Sequence, residues 1–354
     1  GEGQRQSTRR ARCGQSRIDT GQSRADVHTS LQRDEAPTRP GRRDDAGDRR
    51  MIQVGGAGDT ASQDYGEAMK SGRILDRQDH ARDGAGMTYV YPVVSRRAGG
   101  VSIGINLNPN HACNFRCVYC QVPGLVYGKA PDIDLDLLEA ELSGFLDHVL
   151  HGDFMARRVP AEAHRLCDVA FSGNGEPTSV ADFAAVVDLV VHTMDDAGVD
   201  PGVKLRLITN GSLGNKDHVQ RGIARMAERN GEVWFKFDAG TDAALEKINN
   251  YPGGVARQRR NLREVANRCP TWLQTCVFAW HNAPPAEADL AAWLAVVAEE
   301  VALGTPLAGV YLYGIARQSF QPEASQLSAL PSPWLEAFAQ RIRDETGLVV
   351  EART

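Results

Sequence analysis

From about Thr88 onward, hydrophobic and polar positions follow two periods, and the switches between them mark out the elements. Val101-Ser102-Ile103-Gly104-Ile105-Asn106-Leu107-Asn108 alternates small or polar residues with Val, Ile and Leu, the period-two signal of a strand. Residues 136–151 place Leu137, Leu138, Leu142, Phe145, Leu146 and Val149 at helical spacing, an amphipathic helix that covers one face of a sheet. A buried strand through Val169-Ala170-Phe171 follows, then a helix over 182–194 rich in Val, Ala and Leu. The same alternation predicts strands at 204–209, 233–240, 272–278 and 310–313. Helices are predicted between them at 216–230, from a Thr241-Asp242 cap to Asn249, at 258–268 and at 286–301. A last helix, 333–346, ends at Gly347. Six strands alternating with helices predict a parallel α/β architecture. Period alone does not separate an open sheet from a barrel.

Residues 1–86 follow neither period. Arg, Asp, Gln, Gly and Ser dominate, and aliphatic residues are scattered singly. Such a segment buries too little apolar surface to offset the entropy of ordering it, so a disordered or artefactual tail is expected there, with Cys13 a bystander. The foldable domain is expected over 87–354. The composition of the whole chain is that of a soluble globular protein, 42% hydrophobic and 24% charged. The formal net charge of −5 gives no sign of a nucleic-acid-coating surface. No apolar run approaches membrane-spanning length and no secretory leader is visible, so no membrane partner is expected. Seven cysteines, an odd number with three of them clustered, argue against a secreted disulfide framework and for a reducing cytoplasm.

The clustered thiols are the chemically informative stretch. Cys113, Cys117 and Cys120 fall within eight residues at the spacing C-x-x-x-C-x-x-C, with Tyr119 just before the last. One short loop can aim three sulfurs at a common point. Three thiolates suit a four-iron, four-sulfur (4Fe-4S) cluster with one iron open to an outside ligand. The rival is a structural zinc site completed by His111, Cys167, Cys269 or Cys276, although such sites more often show paired C-x-x-C knuckles. About fifty residues on, the strand through Phe171 runs into Ser172-Gly173-Asn174-Gly175-Glu176-Pro177-Thr178. Glycines there let a backbone approach a ligand closely, and exposed turn groups can bind an ammonium or a carboxylate.

The cysteine spacing with its preceding aromatic resembles the cluster loop of the radical S-adenosylmethionine (radical SAM) superfamily. The acidic turn resembles that family's "GGEP" segment, with Asn174 standing where Gly is more common. Ser95-Arg96-Arg97 followed by Ser102-Ile103-Gly104-Ile105-Asn106 resembles a branch of radical SAM iron–sulfur oxidoreductases. The resemblance covers roughly 88–350 and implies a partial (β/α)6 TIM-like barrel. It also implies that Cys113, Cys117 and Cys120 bind the 4Fe-4S cluster, and that Gly173, Asn174, Gly175 and Glu176 hold the amino group of SAM. Asn210, Lys236 and Asp238 stand where family members touch SAM's polar groups, and Gln274 is a weaker candidate. A low-potential electron donor of flavodoxin or ferredoxin type is the implied partner.

Two further features are ambiguous. Tyr311, Tyr313 and Arg317 end the sixth predicted strand and are read either as packing or as facing adenine or substrate. Arg257, Arg259, Arg260 and Arg263 share one helix and are read either as a solvated face or as an RNA contact. Relatives sharing the "SRR" and "GEP" phrases look similar to tRNA-modifying enzymes of the wyosine type, an analogy of fold that names no substrate. The main expectation is a radical SAM enzyme of unknown substrate. The alternatives are a zinc-stabilised binding module, possibly for RNA, and a cluster with only a redox or structural role.

Overall fold

A computed structural model describes residues 86–95 and 99–353. All of the expected tail but Gly86, with Cys13, and the Arg96 and Arg97 pair lie outside the described residues. The first strands, Val90–Ser95 (β1) and Gly100–Ile105 (β2), pair antiparallel with Val90 opposite Ile105. Two short strands follow, Ala112–Cys113 (β3) and Val126–Tyr127 (β4), pairing parallel with Cys113 beside Tyr127. The helices Leu135–Leu150 (α1) and Phe154–Arg158 (α2) lead into Leu166–Phe171 (β5) and Phe183–Asp196 (α3). Next come Lys204–Thr209 (β6), Asp217–Glu228 (α4), Gly231–Lys236 (β7), Asp242–Asn249 (α5) and Val255–Ala266 (α6). Thr271–Cys276 (β8), Ala279–Trp280 (β9), Glu287–Ala302 (α7) and Leu307–Tyr313 (β10) continue the series. Leu327–Ser328 (β11), Ser332–Thr346 (α8) and Val350–Arg353 (β12) complete it.

The main sheet runs β1-β2-β5-β6-β7-β8-β10-β12, and every pairing after the first is parallel. Its edge strands β1 and β12 are not bonded to each other, so the sheet is an open, partial barrel of α/β type. The six-strand expectation is therefore short by two. β1 adds an antiparallel edge, and β12 adds a seventh parallel strand whose four residues, Val-Glu-Ala-Arg, are too few and too polar to announce themselves.

Local chemistry places the element ends. Asp134 caps α1 at Leu137 N (3.0 Å) and Asp182 caps α3 at Ala185 N (3.2 Å). The expected Thr241 cap forms on α5, its hydroxyl accepting Ala244 N at 3.2 Å, and Gly347 closes α8 at φ 69°. Glu141 interrupts the apolar stripe of α1 but is buried, because its carboxylate accepts the backbone N–H groups of Thr88, Tyr89 and Val90 at 2.6–3.2 Å. It ties the start of β1 to the helix.

One face of the sheet is aliphatic and aromatic. Ile103, Val169, Phe171, Leu207, Phe235 and Leu312 are fully buried, and Phe171 meets Phe183 of α3 edge-on at 5.4 Å. Burying each such side chain stabilises the fold by about 1.5–3 kcal/mol. The opposite face carries Asp168, Arg206, Lys236, Gln274 and Tyr313, which line a cavity.

Candidate functional site

That cavity, about 440 Å³, is where the sequence-predicted residues converge. Trp234 and Arg206 line it, and an aromatic column on the lumen face backs them. Trp272 stacks on Tyr311 at 4.4 Å, Tyr311 lies 4.7 Å from Trp234, and the Arg206 guanidinium sits 4.9 Å over Trp234. Arg206 is held between Asp168 and Glu232. The cavity mouth is formed by the cysteine loop and by the acidic turn after β5.

The cysteine loop is fixed from two sides. Its amides at Arg116 and Val118 donate to the carbonyls of Asn249 (3.0 Å) and Ile248 (2.9 Å) at the end of α5, and Phe115 stacks on Tyr251 at 4.4 Å. On the other side, the segment after β10 straps it down. Phe320 N donates to Cys120 O (2.9 Å), Ser319 Oγ donates to Val118 O (2.7 Å), and Arg116 forms a two-pronged pair with Glu323 at 2.8 and 2.9 Å. All three sulfur-bearing residues line the cavity. Burial pushes the Cys113 thiol far up and the Cys117 thiol to about 12, although Lys236 pulls the latter down. Thiols this resistant to ionising become good ligands only when a metal centre supplies compensating positive charge.

The donor set separates the two metal readings. Among the described residues, no three His, Cys, Asp or Glu side chains are gathered closely enough to hold a single ion. His111, the proposed fourth zinc ligand, turns its Nδ1 to the carbonyl of Pro123 at 2.8 Å. Cys269 is buried near Glu232 and Lys204, and Cys167 near Arg165, Asp168 and Arg206. Cys276, the last zinc candidate, lines the cavity together with the three loop thiols, but no three of these side chains are close enough to share one ion, so the three-thiol loop fits a multi-iron cluster better than zinc.

The acidic turn owes its glycines to packing against that loop. A Cβ on Gly175 would run into the carbonyl of Ala112, the residue before Cys113, and one on Gly173 (φ 139°) into Asn106. Asn106 Oδ1 accepts the amides of Asn108 (3.1 Å) and Asn174 (3.0 Å), and Asn108 Nδ2 donates to Ala112 O at 2.9 Å. The two loops are thus stitched together through the end of β2. Gly173, Gly175 and Glu176 line the cavity, whereas Asn174 does not.

Glu176 has a different occupation from the one its sequence suggests. Its carboxylate is 1% exposed and accepts Thr178 N (3.1 Å), Thr178 Oγ1 (2.5 Å), Thr209 Oγ1 (2.6 Å) and Asn210 N (2.7 Å). It braces the ends of β5 and β6. Burial raises its pKa, and the hydrogen bonds from Thr178, Thr209 and Asn210 oppose the shift without cancelling it.

Asp238 is likewise committed inward and does not line the cavity. Its Oδ1 accepts Cys276 N at 2.9 Å, and its Oδ2 accepts Asn249 Nδ2 at 2.7 Å and the Tyr119 hydroxyl. Lys236 does face the cavity, with Nζ 2.9 Å from Tyr119 Oη and 3.4 Å from Tyr313 Oη. Burial opposes its charge, but Tyr313, Asp238 and the thiols of Cys117 and Cys276 outweigh that and raise its pKa. Asn210 lines the cavity too, its Nδ2 donating to Asn114 Oδ1 (2.8 Å) and lying 3.8 Å from Cys113 Sγ.

Other expectations divide. Gln274, Tyr313 and Arg317 line the cavity, and Arg317 reaches Gln121 Oε1 at 3.3 Å, but Tyr311 does not line it and packs between Trp234 and Trp272. The arginine run on α6 is largely a structural brace. Arg259 and Arg263 both clasp the buried Glu300 of α7, at 2.5 and 2.7 Å, and only Arg257 and Arg260 stay exposed. Sequence reasoning missed Tyr91, which β1 delivers into the cavity, where its hydroxyl meets Ser172 Oγ at 2.7 Å. Gly104 makes room for that ring, since a Cβ there would strike it. No helix of the described residues is long and apolar enough to cross a membrane.

No family model matches the sequence. The GTPase Obg of Brachyspira hyodysenteriae is 29% identical over 125 residues, which span 34% of this chain and 15% of that protein. The Gly-Lys pair of a phosphate-binding G-x-x-x-x-G-K-[S/T] loop occurs here only as Gly128-Lys129, followed by Ala130, so that signature is absent. Among solved structures, a radical SAM methyltransferase from Sphaerobacter thermophilus superposes with TM-score 0.51 at 11% identity, covering 75% of this chain and 68% of that one. SuiB of Streptococcus suis bound to S-adenosylmethionine (TM-score 0.47, 10% identity, 73% of this chain) and TYW1 with a lysine-pyruvate adduct (0.45, 13%, 77%) are more distant in shape. The chain spans 52% of the SuiB structure and 79% of the TYW1 structure. In fold, this chain is a partial barrel of the radical SAM type, with a three-thiol loop at its mouth.

Proposed function

We propose that this chain is a radical SAM enzyme that cleaves S-adenosylmethionine reductively to a 5′-deoxyadenosyl radical, which abstracts hydrogen from a substrate still to be identified. The observation that carries the reading is the meeting of the three-thiol loop and the glycine-flanked turn at one cavity of this fold. Cys113, Cys117 and Cys120 would hold the 4Fe-4S cluster. When bound, that cluster supplies an open iron for the methionine part of SAM and the electron that breaks the sulfonium bond.

The chain's own residues divide the remaining work. Main-chain groups at Gly173, Asn174, Gly175 and Glu176 are the candidates for the SAM amino group, because the Glu176 carboxylate is spent on Thr178, Thr209 and Asn210. Lys236 presents an ammonium to the cavity for a carboxylate or ribose oxygen, steadied by Tyr119 and Tyr313. Asn210 and Gln274 add neutral polar contacts from neighbouring strands. The Trp234 ring, backed by Tyr311 and Trp272, gives the cavity an apolar wall, a surface that offers a reactive radical few groups to attack. A flavodoxin- or ferredoxin-type donor in a reducing cytoplasm would supply the electron.

Anaerobically reconstituted protein, given dithionite and SAM, is expected to release 5′-deoxyadenosine, and the cell-extract fraction that accelerates this release contains the substrate. Cluster-loaded protein that forms no 5′-deoxyadenosine under those conditions would overturn the reading.

A further inference from the structure

The geometry points to Asn249 as a positioning residue that, by hydrogen bonding to the Cys117 sulfur, sets the reduction potential of a cluster held there. This inference rests on the reading of Cys113, Cys117 and Cys120 as cluster ligands. Asn249 ends α5 and is 0% exposed. An asparagine buried so completely is held there by specific partners. Its Nδ2 lies 3.2 Å from Cys117 Sγ and 2.7 Å from Asp238 Oδ2. Both amide hydrogens are therefore used, one toward sulfur and one toward the carboxylate. Asn249 Oδ1 has no hydrogen-bond partner among the described residues. Turning the amide over would set that oxygen against an acceptor-only carboxylate and a sulfur, so the charge on Asp238 selects the orientation that aims N–H at Cys117.

Asp238 is itself immobilised. Cys276 N holds one oxygen at 2.9 Å, and the Tyr119 hydroxyl, backed by Lys236 Nζ at 2.9 Å, holds the other. Tyr119 belongs to the cysteine loop and Asp238 follows β7, so the network locks the loop to the sheet and the asparagine to the thiol together. A donor aimed at a ligating sulfur favours the more negative, reduced state of a cluster, whereas a nearby carboxylate opposes it. Asn249 and Asp238 thus act on the potential with opposite signs. Asp238, which the sequence places among the SAM contacts, works from behind the loop.

The test uses the full chain reconstituted anaerobically, with iron and sulfide per chain measured alongside a redox titration followed by EPR. Asn249→Leu is expected to retain iron while its reduced-to-oxidised ratio at a fixed potential falls about tenfold, which for a one-electron couple is a shift of 59 mV downward. Asp238→Asn, which keeps the shape and removes the charge, is expected to raise that ratio. A merely structural role would move melting temperature or iron content and leave the potential alone. Iron-loaded variants with the potential of the unsubstituted protein would overturn the inference. So would Asp238→Asn at that same potential if Asn249→Leu fails to load. Two folded but iron-free variants would also overturn it, because they would make the pair a brace for the loop. If the unsubstituted chain takes up no cluster at all, the underlying functional reading fails instead, and the two failures are told apart by the iron assay on that protein alone.

Discussion

The two faces of the central sheet are built on opposite principles. The helix-facing side buries Ile103, Val169, Phe171, Leu207 and Phe235 completely, and none of them carries a polar side-chain atom. The lumen side of the same sheet presents Asp168, Arg206, Trp234, Lys236, Gln274 and Tyr313. The charged groups there are met by partners, on neighbouring strands as in Asp168 to Arg206 to Glu232, or from the cysteine loop as in Lys236 to Tyr119 to Asp238. A face that only had to stabilise the fold would not accumulate ionisable groups that lose hydration on burial. The first face holds the barrel together, and the second lines the cavity.

Substitutions on either side of the sheet separate those roles, and the largest effect belongs to the cavity mouth. Cys117→Ala is expected to bring cluster iron to background while the melting temperature of metal-free protein stays close to that of the unsubstituted apo-protein, as checked by iron assay and circular dichroism. On the helix side, Phe171→Ala should cost about 3–5 kcal/mol in denaturant unfolding and leave iron per folded chain unchanged.

Two buried carboxylates sharpen the contrast through pH. Glu300 is 1% exposed and clasped by Arg259 and Arg263, so Glu300→Gln should cost about 3 kcal/mol at neutral pH by leaving two guanidinium groups underpaired. Burial opposes its charge, but Arg263, Arg259 and Thr305 prevail and hold its pKa below the ordinary 4.5. Its contribution is therefore present above that value and is lost as pH falls through the depressed pKa, where unsubstituted and Gln proteins converge. Glu176 runs the other way. Its raised pKa means the folded state keeps a proton that the unfolded state has released, so its contribution declines as pH rises from 4.5 through the folded pKa. Glu176→Gln, which forces an amide hydrogen against Asn210 N–H, should cost about 1–3 kcal/mol and flatten that limb in unfolding curves taken between pH 4 and 8. The smallest effect belongs to the exposed end of the arginine run. Arg260→Ala should change stability by less than about 0.5 kcal/mol and leave iron content alone.

What the sequence disclosed follows from how local each signal is. Three thiols in eight residues, a strand closing on a glycine-flanked turn, and aliphatic stripes at two periods are short-range patterns, and the cysteine loop, β5 and α1 are where they place them. β12 failed to register because four residues carry too little alternation. The partners of the polar residues were not legible, since they come from far along the chain. Asn249 reaches a thiol 132 positions earlier, and Glu176 closes on residues that begin a separate turn. One signal was available and went unused. Glu141 and Glu300 each interrupt an apolar helical stripe, at Leu138-Leu142-Phe145 and Trp293-Leu294-Val297, and a carboxylate in that register implies a buried partner. Glu300 alone would have turned the arginine run from a nucleic-acid candidate into a helix brace.

The central claim is that the three thiols hold a cluster whose fourth iron binds SAM directly. The most direct measurement is electron–nuclear double resonance on the reduced, anaerobically reconstituted protein with SAM labelled at its amino nitrogen and carboxylate oxygen. The account predicts about four irons per chain and hyperfine coupling from both labels to the cluster spin. Protein that binds one zinc and no iron, or a reduced cluster whose spectrum is indifferent to labelled SAM, would contradict it.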